Sequence, residues 1–229
     1  MSVLVFSDVH GNMSNILPVI QSGAFDKIIF AGDLFGYFPC RKEVIDLLHR
    51  PDVEYILGNH DLYYLRRLNP KAFEEKFSEY SALMRSDEDY KNRYGVVEET
   101  LEALSGLDLS FLFKAGLRKK LLINQKDFLI CHGSPYNPFN EYIYPDYENF
   151  DSIYEDFDFD VLICGHTHKS NINQKGERYI INPGSCTLPR GGYNPSYITI
   201  EFNPLQIAVT ELEQTIHYQA NGSRVVIKR

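Results

Sequence analysis

The stretch Phe6-Ser7-Asp8-Val9-His10-Gly11-Asn12 follows an apolar run, Val3 to Phe6, that predicts a short buried strand near the start of the chain. Side chains two residues apart in an extended segment point to the same side, so we expect Asp8 and His10 to face one point at the strand's end. A carboxylate oxygen and an imidazole nitrogen suit a divalent metal such as Mn, Fe, Ni or Zn. Asp-x-His alone is a weak signal, because polar residues end many strands.

Length and composition indicate a globular protein of one large domain, with or without an insertion. The chain has 229 residues, of which 44% are hydrophobic, and 23 basic against 31 acidic residues give a net charge of −8. This acidity argues against a surface that binds nucleic acid. No apolar run is long enough to span a bilayer and no targeting signal is visible, so we expect no membrane partner. Four cysteines without Cys-x-x-Cys spacing predict reduced thiols in a cytoplasmic protein.

Strand-like and helix-like segments alternate along the first 60 residues. The predicted strands are Val3–Phe6, Lys27–Ala31 and Val53–Leu57, and the predicted helices are Asn15–Gln21 and Lys42–His49. Pro18 implies either a kink in the first helix or a start just before Pro18. This rhythm predicts an α/β protein with a mostly parallel sheet and helical crossovers.

Residues 62–110 differ from the preceding part, because they show helical spacing and no strand pattern. Asn69-Pro70 predicts the start of one helix, and 97–104 predicts another. We therefore expect a single domain, 1–229, with a helical insertion at about 62–110. This segment follows Asn59 and His60, so it either caps a site there or forms an exposed helical layer over the sheet.

The second half of the chain returns to strand patterns. The predicted strands are 119–124, 128–132, 161–164, 178–181, 197–202 and 206–212, with two short ones near 215–219 and 224–227. A helix is expected from about Tyr147, within an aromatic and acidic stretch.

Metal-competent side chains follow five of the predicted strands. They are Asp8 and His10, Asp33, Asn59 and His60, His132, and His166 and His168. Ligand sites in open α/β sheets lie at the carboxyl ends of strands, so this placement predicts one metal site. The combination is far more specific than any single motif.

These motifs resemble those of the calcineurin-like metallophosphoesterase superfamily. The matching motifs are Asp-x-His at 8–10, Gly-Asp at 32–33, Gly-Asn-His-Asp at 58–61, the lone His132, and Gly-His-x-His at 165–168. Within the superfamily, 32–37 and Asn-Pro-Gly-Ser at 182–185 look like the small bacterial and archaeal phosphodiesterase branch. The resemblance implies a four-layer α/β/β/α sandwich of two mixed sheets flanked by helices.

The resemblance also implies a dinuclear metal site with Asp33 as the bridge. One metal would take Asp8, His10, Asp33 and His168, and the other would take Asp33, Asn59, His132 and His166. Two such metals can activate a shared hydroxide and clamp an in-line phosphoryl displacement. Mn is the metal we expect, and Fe, Ni, Co and Zn remain open.

His60 lies outside this ligand set, and the resemblance implies that it is catalytic. It would protonate the leaving oxygen or stabilise the phosphoryl oxygens; alternatively, it only hydrogen-bonds Asp33. Protein phosphatases of the superfamily and the related dinucleoside polyphosphate hydrolases carry Asp-Arg-Gly soon after the bridging aspartate, where this chain has Gly36-Tyr37-Phe38. The carboxylate partner of the catalytic histidine and a phosphate-binding arginine are therefore both missing, which argues against a protein phosphatase.

Other side chains are candidates for substrate contact. Arg190 either reaches a phosphate oxygen or is a solvated surface residue, and Tyr136, Tyr142 and Tyr144 either stack on a base or aryl ester or only pack a loop. We predict a metal-dependent phosphoesterase, preferentially a phosphodiesterase, that hydrolyses a small-molecule phosphate ester. The alternatives are a phosphomonoesterase, a non-catalytic metal-binding scaffold or interaction module, and, more weakly, a nuclease. The oligomeric state is left open.

Overall fold

The computed structural model describes residues 1–212 in full and, beyond them, the backbone of two short strands. The strands are β1 Ser2–Phe6, β2 Lys27–Phe30, β3 Val53–Tyr55, β4 Arg118–Ile123, β5 Lys126–Cys131, β6 Val161–Ile163, β7 Ser170–Lys175, β8 Arg178–Pro183, β9 Ser196–Glu201, β10 Gln206–Glu211, β11 Gln214–Tyr218 and β12 Arg224–Lys228. The helices are α1 Leu17–Gln21, α2 Lys42–Leu48, α3 Asn59–Leu68, α4 Pro70–Phe77, α5 Asp87–Tyr94, α6 Val97–Ala103 and α7 Phe150–Asp156. Two 3₁₀ helices cover Ser78–Leu83 and Ser110–Lys114.

Two five-stranded mixed sheets form the centre of the fold. The first has the order β10-β9-β1-β2-β3, in which β1, β2 and β3 are parallel, β9 is antiparallel to β1, and β10 is antiparallel to β9. The second has the order β4-β5-β6-β8-β7, in which β5, β6 and β8 are parallel and both edge strands are antiparallel to their neighbours. The strand rhythm alone predicted a mostly parallel sheet, and the antiparallel strands of both sheets make that expectation incomplete.

The alternation of side chains along the strands produces the layers. On β1, Val3 and Val5 pack between the two sheets, whereas Leu4 and Phe6 pack against the helices of the first sheet. Leu162 on β6 packs with α7 on the outer face of the second sheet. The result is the α/β/β/α arrangement of two mixed sheets flanked by helices, as the resemblance implied. Each fully buried aliphatic side chain contributes about 1.5–3 kcal/mol to this core.

Several element boundaries differ from the sequence predictions. The first helix begins at Leu17, just before Pro18, which is the shifted start that Pro18 implied, because proline fits only in the first turn of a helix. The helix expected from about Tyr147 begins at Phe150. The edge strand β7 was not predicted, because Ser170–Lys175 is polar and has no hydrophobic alternation.

Residues 62–110 contain helices and no strand, as predicted. Helix α3 already begins at Asn59, so Asn59 and His60 lie in its first turn instead of in a loop. The buried Asp61 carboxylate stabilises this start, because it accepts hydrogen bonds from the backbone amides of Gly58 at 2.7 Å and Asp33 at 3.1 Å. Within the described part of the chain, no helix has the length and hydropathy that a membrane crossing requires.

Candidate metal centre

The seven predicted ligands come together at the carboxyl edges of the two sheets. Asp8, His10, Asp33 and His168 place one ligand atom each within 4.8 Å of one another, and Asp33, His132 and His166 form a second such group. Asn59 extends the second group, since its Oδ1 lies 3.2 Å from His132 Nε2. Asp33 is thus common to both groups, in the position that the resemblance implied for a bridge.

The backbone at these positions is not extended. Five of the ligands have positive φ angles: 55° at Asp8, 48° at His10, 60° at Asp33, 68° at His166 and 59° at His168. Strand β1 ends at Phe6, so the expectation that Asp8 and His10 face one point through strand alternation is wrong, although the two side chains do converge. Left-handed backbone is unfavourable for non-glycine residues and is concentrated at functional sites.

Three histidines are fixed in the tautomer that ligates through Nε2. In each, Nδ1 lies at hydrogen-bond distance from a backbone carbonyl oxygen, so Nδ1 carries the proton and donates it. The pairs are His10 with Phe35 (3.0 Å), His132 with Ala31 (2.8 Å) and His168 with Leu188 (2.6 Å). The Nε2 atoms of these rings therefore face the centre of the site.

Acceptor atoms crowd each other in this centre. His10 Nε2 lies 3.1 Å from His168 Nε2, and His168 Nε2 lies 3.3 Å from Asp8 Oδ1. Asp8 Oδ1 and His166 Nε2 are buried and have no hydrogen-bond partner among the described residues. Lone pairs this close are mutually repulsive unless a cation lies between them, and an unsatisfied buried acceptor is costly. The donor set therefore fits divalent metal.

Except at His132, the charges of the site favour the protonation states that ligate metal. Burial would raise the pKa of Asp33, but His132 and His60 outweigh it and hold the pKa of this carboxyl well below its usual range. Burial lowers the pKa of His166 to about 3 and that of His10 well below its usual value. For His132, burial is outweighed by the Asp33 carboxylate, which raises the imidazole pKa to about 10. A metal bound here would displace that proton.

His60 has a hydrogen-bond partner that the sequence did not reveal. Its Nδ1 lies 2.7 Å from the hydroxyl of Tyr90, a residue of α5 that is itself buried. Burial lowers the pKa of His60 to about 4, so the imidazole is neutral near pH 7. Only the backbone amide of His60, and not its ring, bonds Asp33, at 2.9 Å to Oδ1. His60 thus hydrogen-bonds Asp33, but its imidazole ring is left to other partners.

Tyr37 and Arg190 lie beside the site. Arg190 Nη2 donates to the Tyr37 hydroxyl at 2.9 Å, and the Tyr37 ring contacts the rings of His10 and His60 at centroid distances of 4.7 Å and 5.3 Å. Burial raises the pKa of Tyr37 to about 12, so its phenol is protonated. Arg190 is exposed and lines the cavity described next.

A cavity of about 300 Å³ opens above these residues. Asp33, Asn59, His60, His166 and His168 form its floor, and tyrosines and arginines form its walls. That volume is at the lower end of the range for small-ligand pockets.

The three tyrosines that the sequence offered for stacking have different environments. Tyr142 lines the cavity, but one face of its ring already stacks on His166 at 3.9 Å. Tyr144 stacks on Tyr142, and Tyr136 donates a hydrogen bond to Asp156 at 2.5 Å. Tyr136 and Tyr144 are not among the described residues that line the cavity, so they pack loops.

Together, the two mixed sheets and the buried cluster of carboxylates and imidazoles define a metal-binding α/β protein. Residues 1–204 match the family model of the calcineurin-like phosphoesterase superfamily domain, and the chain therefore belongs to this superfamily.

Several relatives belong to the bacterial and archaeal branch that the motifs indicated. An uncharacterized protein of Methanocaldococcus jannaschii, MJ0912, is 26% identical over an alignment of 237 positions that covers 93% of this chain and 88% of that protein. The phosphodiesterase YfcE of Escherichia coli is 26% identical over 181 residues, which cover 79% of this chain and 90% of YfcE. A metallophosphoesterase structure from Sphaerobacter thermophilus superimposes with a TM-score of 0.69 at 26% identity, covering 93% of this chain and 88% of that one.

Proposed function

We propose that this protein is a metal-dependent phosphoesterase that prefers phosphodiesters and hydrolyses a small-molecule phosphate ester. The observation that carries the proposal is the pair of buried ligand groups that share Asp33 at the floor of a cavity. Membership of a phosphoesterase superfamily and the similarity to a phosphodiesterase support the type of reaction.

The metal centre in this proposal is dinuclear. Asp8, His10, Asp33 and His168 would hold one ion, and Asp33, Asn59, His132 and His166 would hold the other. When bound, two divalent ions supply positive charge that lowers the pKa of a water and neutralises phosphoryl oxygens. Carboxylate, imidazole and amide ligands accept Mn, which we expect, as well as Fe, Ni, Co or Zn.

His60 is the proposed catalytic residue. Because Tyr90 occupies Nδ1, Nε2 is the ring nitrogen left to face substrate. If Tyr90 donates its hydroxyl proton to Nδ1, the neutral ring carries its proton on Nε2 and can donate it to a phosphoryl or leaving oxygen. Tyr90 is then a positioning residue that acts through His60.

Arg190 is the proposed substrate-binding residue of the cavity. Its bond to the Tyr37 hydroxyl holds the guanidinium group near the ring of His60, which Tyr37 contacts. A guanidinium group pairs strongly with phosphate oxygens, so Arg190 can bind a phosphate group of the substrate in the cavity.

A panel of aryl phosphate monoesters and diesters, assayed with added Mn²⁺, tests the proposal. We expect diester turnover to exceed monoester turnover at equal concentration. Mainly monoester turnover would instead identify a phosphomonoesterase that uses the same residues. Tight metal binding with no turnover of either class would identify a non-catalytic metal-binding module.

The proposal treats residues 1–229 as one domain, in which the helical insertion at about 62–110 caps the site. Tyr63, Tyr90 and Tyr94 of that segment line the cavity, which supports a cap over an exposed layer. We also propose a cytoplasmic protein, because Cys40, together with the three other cysteines, is a buried free thiol.

A further inference from the structure

Three arginines line the cavity above the candidate metal centre. They are Arg85, Arg93 and Arg190, which we call the rim arginines. Arg85 precedes α5 and Arg93 lies within it, whereas Arg190 comes from the loop after β8, so distant parts of the chain bring these cations together. Among the described residues that line the cavity, Asp33 is the only carboxylate, and it lies on the floor.

The rim arginines differ from Arg66 and Arg67 of the helical segment, which pair with carboxylates. Arg66 Nε donates to Asp87 at 2.9 Å, and Arg67 Nη2 contacts Glu98 at 2.7 Å. For the rim arginines, in contrast, no carboxylate oxygen of residues 1–212 lies within 4.0 Å of a guanidinium nitrogen, the limit for an ion pair. Within residues 1–212, therefore, no carboxylate pairs with these positive charges.

Two of the rim arginines contact tyrosines through their guanidinium groups. Arg190 donates to Tyr37, and the Arg93 guanidinium carbon lies 5.8 Å from the centre of the Tyr94 ring. These contacts leave most of the guanidinium N–H groups available to a ligand. In a chain of net charge −8, such a cluster creates a local field that attracts anions into this cavity.

A simple phosphodiester carries one negative charge, and in the proposed function that charge lies at the metal centre. The charge on the rim arginines is then in excess of what the scissile group requires. Guanidinium groups match phosphate in both charge and fork geometry. We propose that the substrate of this protein carries a second phosphoryl group, apart from the scissile one, and that the rim arginines bind it. This inference rests on the proposed function.

The test compares two chromogenic diesters that differ by one phosphate: the 4-nitrophenyl ester of thymidine 5′-phosphate and the same ester carrying a 3′-phosphate. We expect the bisphosphate to have a kcat/KM about tenfold higher in the wild-type protein with Mn²⁺. The double variant Arg85→Gln/Arg93→Gln should lose this advantage. The control, Lys71→Gln/Lys76→Gln, removes the same charge from exposed positions of α4 outside the cavity and should keep it.

A calorimetric comparison of the affinities for thymidine 3′,5′-bisphosphate and thymidine 5′-phosphate distinguishes failure of the inference from failure of the proposed function. Tighter binding of the bisphosphate that depends on Arg85 and Arg93 supports the inference. If neither ester is hydrolysed, the proposed function is refuted, but this binding result still supports the inference. Equal binding of the two ligands by the wild type overturns the inference. An advantage that persists in the arginine variant, or that disappears in the lysine control, overturns it as well.

Discussion

Replacement of Tyr90 by Phe removes one hydroxyl group and leaves the ring in place. That hydroxyl lies 2.7 Å from His60 Nδ1, between two buried residues. A buried neutral hydrogen bond contributes about 1–1.5 kcal/mol, and about 1.4 kcal/mol corresponds to a tenfold change in rate. We therefore expect Tyr90→Phe to lower kcat about five- to tenfold, with a smaller change in KM, because the effect falls on the orientation of His60 and not on substrate binding.

The assay is steady-state hydrolysis of an aryl phosphodiester by the metal-loaded protein. Tyr64→Phe is the matched control, because it removes another buried hydroxyl, which donates to the Gly36 carbonyl at 3.3 Å and does not bond His60. The control should lose stability similarly while keeping most of its kcat.

A double-mutant cycle decides whether Tyr90 acts through His60. His60→Ala should lower kcat by about 10²–10⁴, the usual contribution of a group that transfers or donates a proton. Adding Tyr90→Phe to His60→Ala should cause almost no further loss, because the positioned ring is gone. Losses that simply add, or equal effects of Tyr90→Phe and Tyr64→Phe on kcat, would refute the positioning role.

Three further predictions concern the metal centre. Asp33→Asn should abolish both metal retention, measured by elemental analysis, and hydrolysis, because it removes the charge common to both ligand groups; full metal content in this variant would contradict the assignment. Mn²⁺ at about a hundred times its Kd should stabilise the folded protein by about 2.7 kcal/mol, which raises Tm by about 5–10 °C in a calorimetric scan, and Asp33→Asn should show no shift. Gly36→Ala should lose metal and activity, because a Cβ there would lie 2.2 Å from His10 Nδ1. Gly106→Ala, also at positive φ but with nothing within 4 Å, should lose only stability.

The location of the metal centre was predictable from the sequence because polar residues at strand ends meet at one edge of a sheet. Asp8, Asp33 and His132 illustrate this, since each follows a short apolar run that forms a strand. The local geometry was not predictable in the same way. Strand alternation was the expected reason for the convergence of Asp8 and His10, whereas the structure turns the chain through left-handed conformations at both residues.

The contact between Tyr90 and His60 could not be predicted from the sequence. The surroundings of Tyr90, Asp87 to Tyr94, form a polar helix with no motif, and only the packing of α5 over the site brings the hydroxyl to His60, 30 residues earlier in the chain. Strand β7 escaped prediction for a similar reason. It is defined by the pairing of Ser170–Lys175 with β8, and its sequence has no hydrophobic pattern. Partners supplied by tertiary packing leave no periodic trace in the sequence.

Titration of the metal-free protein with Mn²⁺ tests the central proposal most directly, if bound metal and the initial rate of bis(4-nitrophenyl) phosphate hydrolysis are measured in the same samples. The two ligand groups that share Asp33 predict that activity rises as the bound metal approaches two ions per chain. Saturation of the site without hydrolysis, or full activity in the absence of metal, would contradict the proposal.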